Sequence, residues 1–90
     1  MKIEVGQVIS EEDSKVLRDF ISKNDIADIS MSSGMSISTL RDVAYRRNRV
    51  AETNIEGLKK LIERASENAS KQERHARKCK NNFKTTLNTI

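Results

Sequence analysis

The chain has 90 residues, 36% hydrophobic, 3% aromatic and 33% charged, with 17 basic and 13 acidic side chains giving a formal net charge of +4. This length leaves room for one small core and an appended element, and not for a second domain or an enclosed substrate pocket. A single cysteine, Cys79, excludes an intrachain disulfide and a cysteine-based zinc centre, and no apolar run approaches the ~18 residues of a membrane span.

The first residues have no charged start followed by an apolar run of signal-peptide length, so a soluble protein in a reducing, cytoplasmic compartment is expected. Residues 1–40, 41–49, 50–70 and 71–90 carry net charges of −3, +3, −1 and +5. Positive charge therefore gathers around Arg41 to Arg49 and in the last twenty residues, where a polyanion would feel it.

Residues 1–9 form an N-terminal arm: Lys2 to Val5 alternate like a strand that Gly6 closes, but no second strand is available to pair with it. Ser10, followed by Glu11, Glu12 and Asp13, is a helix start, because a serine oxygen takes a free amide and acids sit well against the positive helix end. Val16, Leu17, Phe20 and Ile21 make the apolar stripe of this first helix, which should end near Asn24. A short second helix follows from Asp25 to about Ser32, with Ile26, Ile29 and Ala27 inward, and Gly34 stops it. Ser36 caps a third helix that runs to about Arg47 on an inner face of Leu40, Val43 and Ala44. Met31 and Met35 are read as core and turn packing.

Thr53-Asn54-Ile55-Glu56 fits a capping box, and Ile55, Leu58, Leu61, Ile62 and Ala65 give the fourth helix its buried side. Beyond Ser66 the seven-residue spacing continues through Ala69, Ala76, Cys79 and Phe83 with little area to bury, so residues 70–90 are expected as a basic tail, either a fraying helix or disordered. The fold class is all-α: a compact four-helix unit over residues 10–69 with that tail attached.

The arrangement bearing on function lies between Asp25 and Arg47. Two helices held at a steep angle need small or apolar residues on the first, a glycine break, and apolar anchors on the second. Ile29-Ser30, Gly34, Met35, Leu40 and Val43 meet these needs in order. The stretch from Gly34 to Leu40 resembles the Gly-x-Ser-x-x-Thr-(Val/Leu) core of phage-repressor-like, Xre-type helix-turn-helix proteins. It departs from that pattern at Ser30, where alanine is usual, in lacking an opening glutamine, and in placing Asp42 on the outer face. Arg49-Val50 with Thr53 is similar to the lactose-repressor type, but that family opens with the motif, whereas here a helix precedes it.

The resemblance implies double-stranded DNA binding with the third helix in the major groove, where Ser36, Ser38, Arg41, Asp42 and Tyr45 would read bases. Arg41 matches the two acceptors of guanine, and Asp42 would accept from cytosine or orient Arg41. Thr39, Arg46, Arg47 and Arg49 would hold phosphates. It implies a sequence-specific transcriptional regulator, a repressor of phage, plasmid or bacterial type, acting as a homodimer without cofactor, metal, small-molecule ligand or catalysis. Two alternatives stand beside it. One is a protein-interaction module, an adaptor or antirepressor whose basic tail binds an acidic partner. The other is non-specific RNA or nucleoid binding through the tail, although the stacking aromatics used on single strands are missing. The Arg41 to Arg49 run has a structural reading as well, as a solvated face paired with Glu52, Glu56 and the acidic first helix.

Overall fold

A computed structural model describes all residues, 1–90. It contains four helices and no strand: α1 (Glu11–Asp19), α2 (Lys23–Ser33), α3 (Ile37–Ala44) and α4 (Ile55–Thr89). None of them is long and apolar enough to cross a membrane.

Local chemistry sets most of the boundaries. Ser10 caps α1 by accepting from the Asp13 amide, and three acids occupy the first turn. The helix is shorter than its sequence suggests: it ends at Asp19, not near Asn24, because Ser22 starts the next one. Ser22 accepts from the Asp25 amide at 3.1 Å while the Asp25 carboxylate takes the Ser22 amide at 2.9 Å. Asp25 is thus the third residue of α2 and closes a capping box, rather than opening the helix. Gly34 ends α2 in the left-handed region at φ 74°, where a side chain would be strained. α3 also stops early, at Ala44 and not Arg47, because Arg46 enters the left-handed region and the Arg47 amide turns back to the Asp42 carbonyl.

The core is made of Ile9, Leu17, Ile26, Ile29, Leu40, Val43, Ala44, Val50, Leu58 and Leu61. Ile9 plugs the arm into it. The arm is not a strand but is tied down by two backbone bonds, Gly6 N–H to Val50 O at 2.7 Å and Val50 N–H to Gln7 O at 2.9 Å. Within the expected stripe of α1, Leu17 is buried and Phe20 and Ile21 are half-buried, but Val16 faces solvent, because the side of α1 turned to the core runs through Ser14, Leu17 and Ile21. Met31 is also outside, 86% exposed, while Met35 packs against the core.

Gly57 explains how α4 lies so close to the α2–α3 turn. A β-carbon there would fall on Met35 Sδ and within 2.6 Å of Leu40 Cδ2. No capping box forms at Thr53 to Glu56. Instead the buried Asn54 side chain accepts from the Ala51 amide at 2.8 Å and donates to the Arg49 carbonyl at 2.9 Å, fixing the loop before α4 and leaving no oxygen for the helix.

α4 runs unbroken through the boundary read at residue 70. Its 35 residues reach about 52 Å at 1.5 Å per residue, which accounts for the 57 Å long axis of the molecule. Its last attachments to the body are polar. Asn68 donates to the Phe20 carbonyl at 2.8 Å and to Asp25 at 3.1 Å, and Arg64 donates to Asp25 at 2.8 Å. From Glu73 to Ile90 every residue except Cys79 is exposed.

Candidate nucleic-acid interface

The outer face of α3 begins at its cap. Ser36 Oγ accepts from the Thr39 amide at 3.1 Å and lies 2.8 Å from the Thr39 hydroxyl, so both side chains hold the helix start while remaining at the surface. Ser30 Oγ donates to the Met35 carbonyl at 2.5 Å, which joins the end of α2 to the turn before α3. The inner side of α3, Leu40, Val43 and Ala44, is buried. That leaves Ser38, Arg41, Asp42 and Tyr45, spaced i, i+3, i+4 and i+7, on one outward side.

Four of the five expected base readers therefore share a face, and Ser36 stands at its edge. Arg41 and Asp42 are half-buried, Ser38 is exposed, and Arg41 has no ion pair. Asp42 meets Arg47 at 3.9 Å. Tyr45 is flanked by two guanidinium groups, Arg18 at 5.2 Å and Arg47 at 5.5 Å from the ring centre, within the range of a cation–π attraction.

Arg18 belongs to this face although the sequence reading left it off. It is held by its Nε donating to the Ser14 carbonyl at 3.2 Å, and α1 is in turn held to α3 by Ser14 Oγ donating to the Ala44 carbonyl at 2.6 Å. The bond between Ser14 and Ala44 joins residues 30 apart in the chain and is invisible to helical periodicity, and Ser14 is assigned no part from the sequence. A cleft of about 360 Å³ opens beside Tyr45 between α1 and the end of α3, bordered by Lys15, Arg18 and Arg46 with Glu11 opposite.

Of the four expected phosphate ligands, Thr39 lies at the α3 cap and the three arginines separate into two groups. Arg47 is exposed beside Tyr45 and Asp42, and Arg49 is exposed in the loop that follows α3. Arg46 is turned from it, donating from Nε to the Ile9 carbonyl at 2.7 Å and pairing with Glu11 at 3.3 Å. It braces the arm. The basic run accordingly pairs with α1 through Glu11 and with Asp42 inside the run, and not with Glu52 or Glu56.

On the opposite flank, Asp25 joins the start of α2 to α4. Burial opposes its charge, but hydrogen bonds from the Ser22 amide, Arg64, the Ser22 hydroxyl and Asn68 outweigh that and hold the carboxyl below its ordinary range. The hydrogen bond to Asp25 in turn keeps the Arg64 guanidinium above its ordinary value. This cluster ties α2 to α4 and contributes no residue to the α3 face.

Compared with known proteins, the chain matches no family model, no curated protein and no solved structure.

Proposed function

We propose that α2 and α3 form a helix-turn-helix that binds double-stranded DNA sequence-specifically, and that the chain is a transcriptional regulator, a repressor of phage, plasmid or bacterial type. The observation that carries this reading is the outward face of α3. It offers hydrogen-bonding groups on Ser38, Arg41, Asp42 and Tyr45, weakly paired guanidinium groups on Arg18 and Arg47 flank it, and Arg49 is exposed in the loop that follows. A helix presented to a protein groove would be apolar there; one presented to a major groove has to donate and accept.

Arg41 is the principal base reader, with Asp42 beside it, while Arg18, Arg47 and Arg49 contact phosphates and so set position without reading sequence. Tyr45 keeps two of these cations in place. The regulator acts as a homodimer on a two-fold site, with half-sites one helical turn or a multiple apart.

A second reading rests on Met31 and Ile37, both exposed near the α2–α3 turn, which suit a protein partner of an adaptor or antirepressor. Selection of bound duplexes from a random pool separates the two. The DNA reading predicts an enriched motif that Arg41→Ala relaxes at one base pair, by the about 1–3 kcal/mol of a bidentate contact. Absence of enrichment, together with binding that is equal for all duplexes at each salt concentration, would reject it.

A further inference from the structure

The face of α4 that covers the core does not stop where the core does. Leu58, Leu61 and Ala65 lie over α1 to α3, and the same seam continues at steps of three and four residues through Ala69, Gln72, Ala76, Cys79 and Phe83 towards Ile90, with Leu87 at its edge. On the projecting half it is bare: Phe83 is 67%, Leu87 72% and Ile90 94% exposed. A lone helix of this length with such a stripe is marginal in water unless something covers it.

We infer that the cover is a second copy of the same segment, lying antiparallel, with Ala76 of one copy against Cys79 of the other and Phe83 against Gln72. This deepens the homodimer part of the DNA-binding reading. Two features of the seam select both the occupant and its direction.

The first is size. Where it leaves the body the seam has small residues, Ala69 and Ala76, on either side of Gln72, and at its end it is large, with Phe83 and Ile90 and Leu87 at the edge. Two parallel copies would put large on large and small on small, leaving gaps between the alanine layers. Two antiparallel copies in this register keep the large residues apart: Phe83 of each meets Gln72, and Leu87 and Ile90 reach the edge of the body near Asn68 and Ala65 rather than one another. Phe83 then lands at Gln72, on the rim of a notch of about 330 Å³ whose lining is mostly polar, with Asp19, Asp25, Asn68 and Lys71 beside the half-buried Phe20 and Ile21.

The second feature is charge. Most cations of this segment, Arg74, Arg77 and Lys78 among them, point away from the seam, so two copies approach without setting their basic faces together. Beside the seam stand one acid and one base, Glu73 and Lys80, seven residues apart on the same flank, while the other flank carries Asn68, His75, Asn82 and Thr89. Like flanks meet in an antiparallel pair, so Glu73 faces Lys80 of the second copy twice over. In a parallel pair unlike flanks meet, and Lys80 would face His75. The contact that Glu73 makes with Arg77 on its own helix, 3.1 Å and exposed, is too weak to prevent the exchange.

The test needs no DNA, so its failure leaves the DNA reading standing and failure of the DNA experiments leaves the pairing standing. Sedimentation equilibrium of the full chain should show a dimer at tens of micromolar, and Phe83→Glu should weaken it at least tenfold. Direction is read by pulsed electron paramagnetic resonance on the chain carrying Cys79→Ser and a spin label at Asn88→Cys. The antiparallel register separates the two labels by about 30 Å, from 21 residues at about 1.5 Å each, whereas a parallel pair brings them below about 20 Å. A monomer at 100 µM, a dimer indifferent to Phe83→Glu, or a short label distance would each overturn the proposal.

Discussion

At the residue scale, side chains of one type have unlike roles, decided by what each one meets. Arg41, Arg46 and Arg47 lie within seven positions of one another, yet Arg46 is engaged by the Ile9 carbonyl and Glu11 while Arg41 has no ion pair. Arg46→Ala should therefore destabilise the fold and loosen the arm, seen as faster amide exchange at Gly6 and Val50, with any effect on DNA affinity following from that. Arg41→Ala should leave the melting temperature within a degree or two of wild type and change only the sequence preference. Ser14→Ala removes the buried donor to the Ala44 carbonyl and should cost about 1–2 kcal/mol in a denaturant titration. Its position beneath Arg18 and Tyr45 means that the loss should also blur the α3 face. Asp25 links charge to stability. Its carboxyl is depressed in the folded state, so its contribution is complete above the unfolded value of about 3.9 and fades as pH falls through the lower folded value. The stability gap between wild type and Asp25→Asn should be constant near neutrality and close below about pH 4; a gap that widened with acid would contradict the assignment.

At the scale of elements, glycine has two separate tasks. Gly34 is needed for its backbone, since φ is 74° and open space surrounds it. Gly34→Ala should cost about 1 kcal/mol, and Gly34→Asn less, because asparagine tolerates the left-handed region. Gly57 is needed for its lack of a side chain, since the α2–α3 turn rests on it through Met35 and Leu40. Gly57→Val should cost about 2–3 kcal/mol by forcing that turn outward, more than the same change at an exposed site of α4. Thermal melts of the two variants separate conformational from steric demand. The caps behave in a comparable way. Ser10, Ser22 and Ser36 each accept from the amide three residues on and set where α1, α2 and α3 begin. The first and third are legible as a serine ahead of an apolar pattern. The second was obscured because Ile21 and Lys23 beside it continue the preceding helix pattern equally well.

At the scale of the whole molecule, the elongated form follows from one helix outrunning its core. If the antiparallel pairing holds, the two bodies stand about 50 Å apart along α4, judged from the rise per residue between the two copies of Leu61. An enriched operator should then have half-sites spaced by more than a single helical turn, and close half-sites would favour a different dimer. The basic residues on the far side of α4 should add a sequence-independent term. Replacing Arg74, Arg77 and Lys78 with glutamine should lower affinity for every duplex alike and flatten the salt dependence, leaving the motif unchanged.

The sequence alone determined the all-helical class, four helices in their order, the Ser10 and Ser36 caps, the glycine stop at Gly34, and the outward grouping of Ser38, Arg41, Asp42 and Tyr45. These rest on periodicity and on side chains acting within four residues of themselves, and both are local. Only the tertiary structure decided that Arg18 joins Tyr45, that Arg46 leaves the face to brace the arm, that Asn54 ties its loop instead of capping α4, and that Met31 and Val16 lie outside. Each of these depends on which of several chemically equivalent neighbours the packing brings within reach, often across 25 residues or more, and no spacing rule carries that information. The length of α4 lies between the two cases. Its seven-residue pattern is written in the chain, but small residues such as Ala69 and Ala76 give so little burial energy that the pattern fixes a face without fixing whether the helix persists.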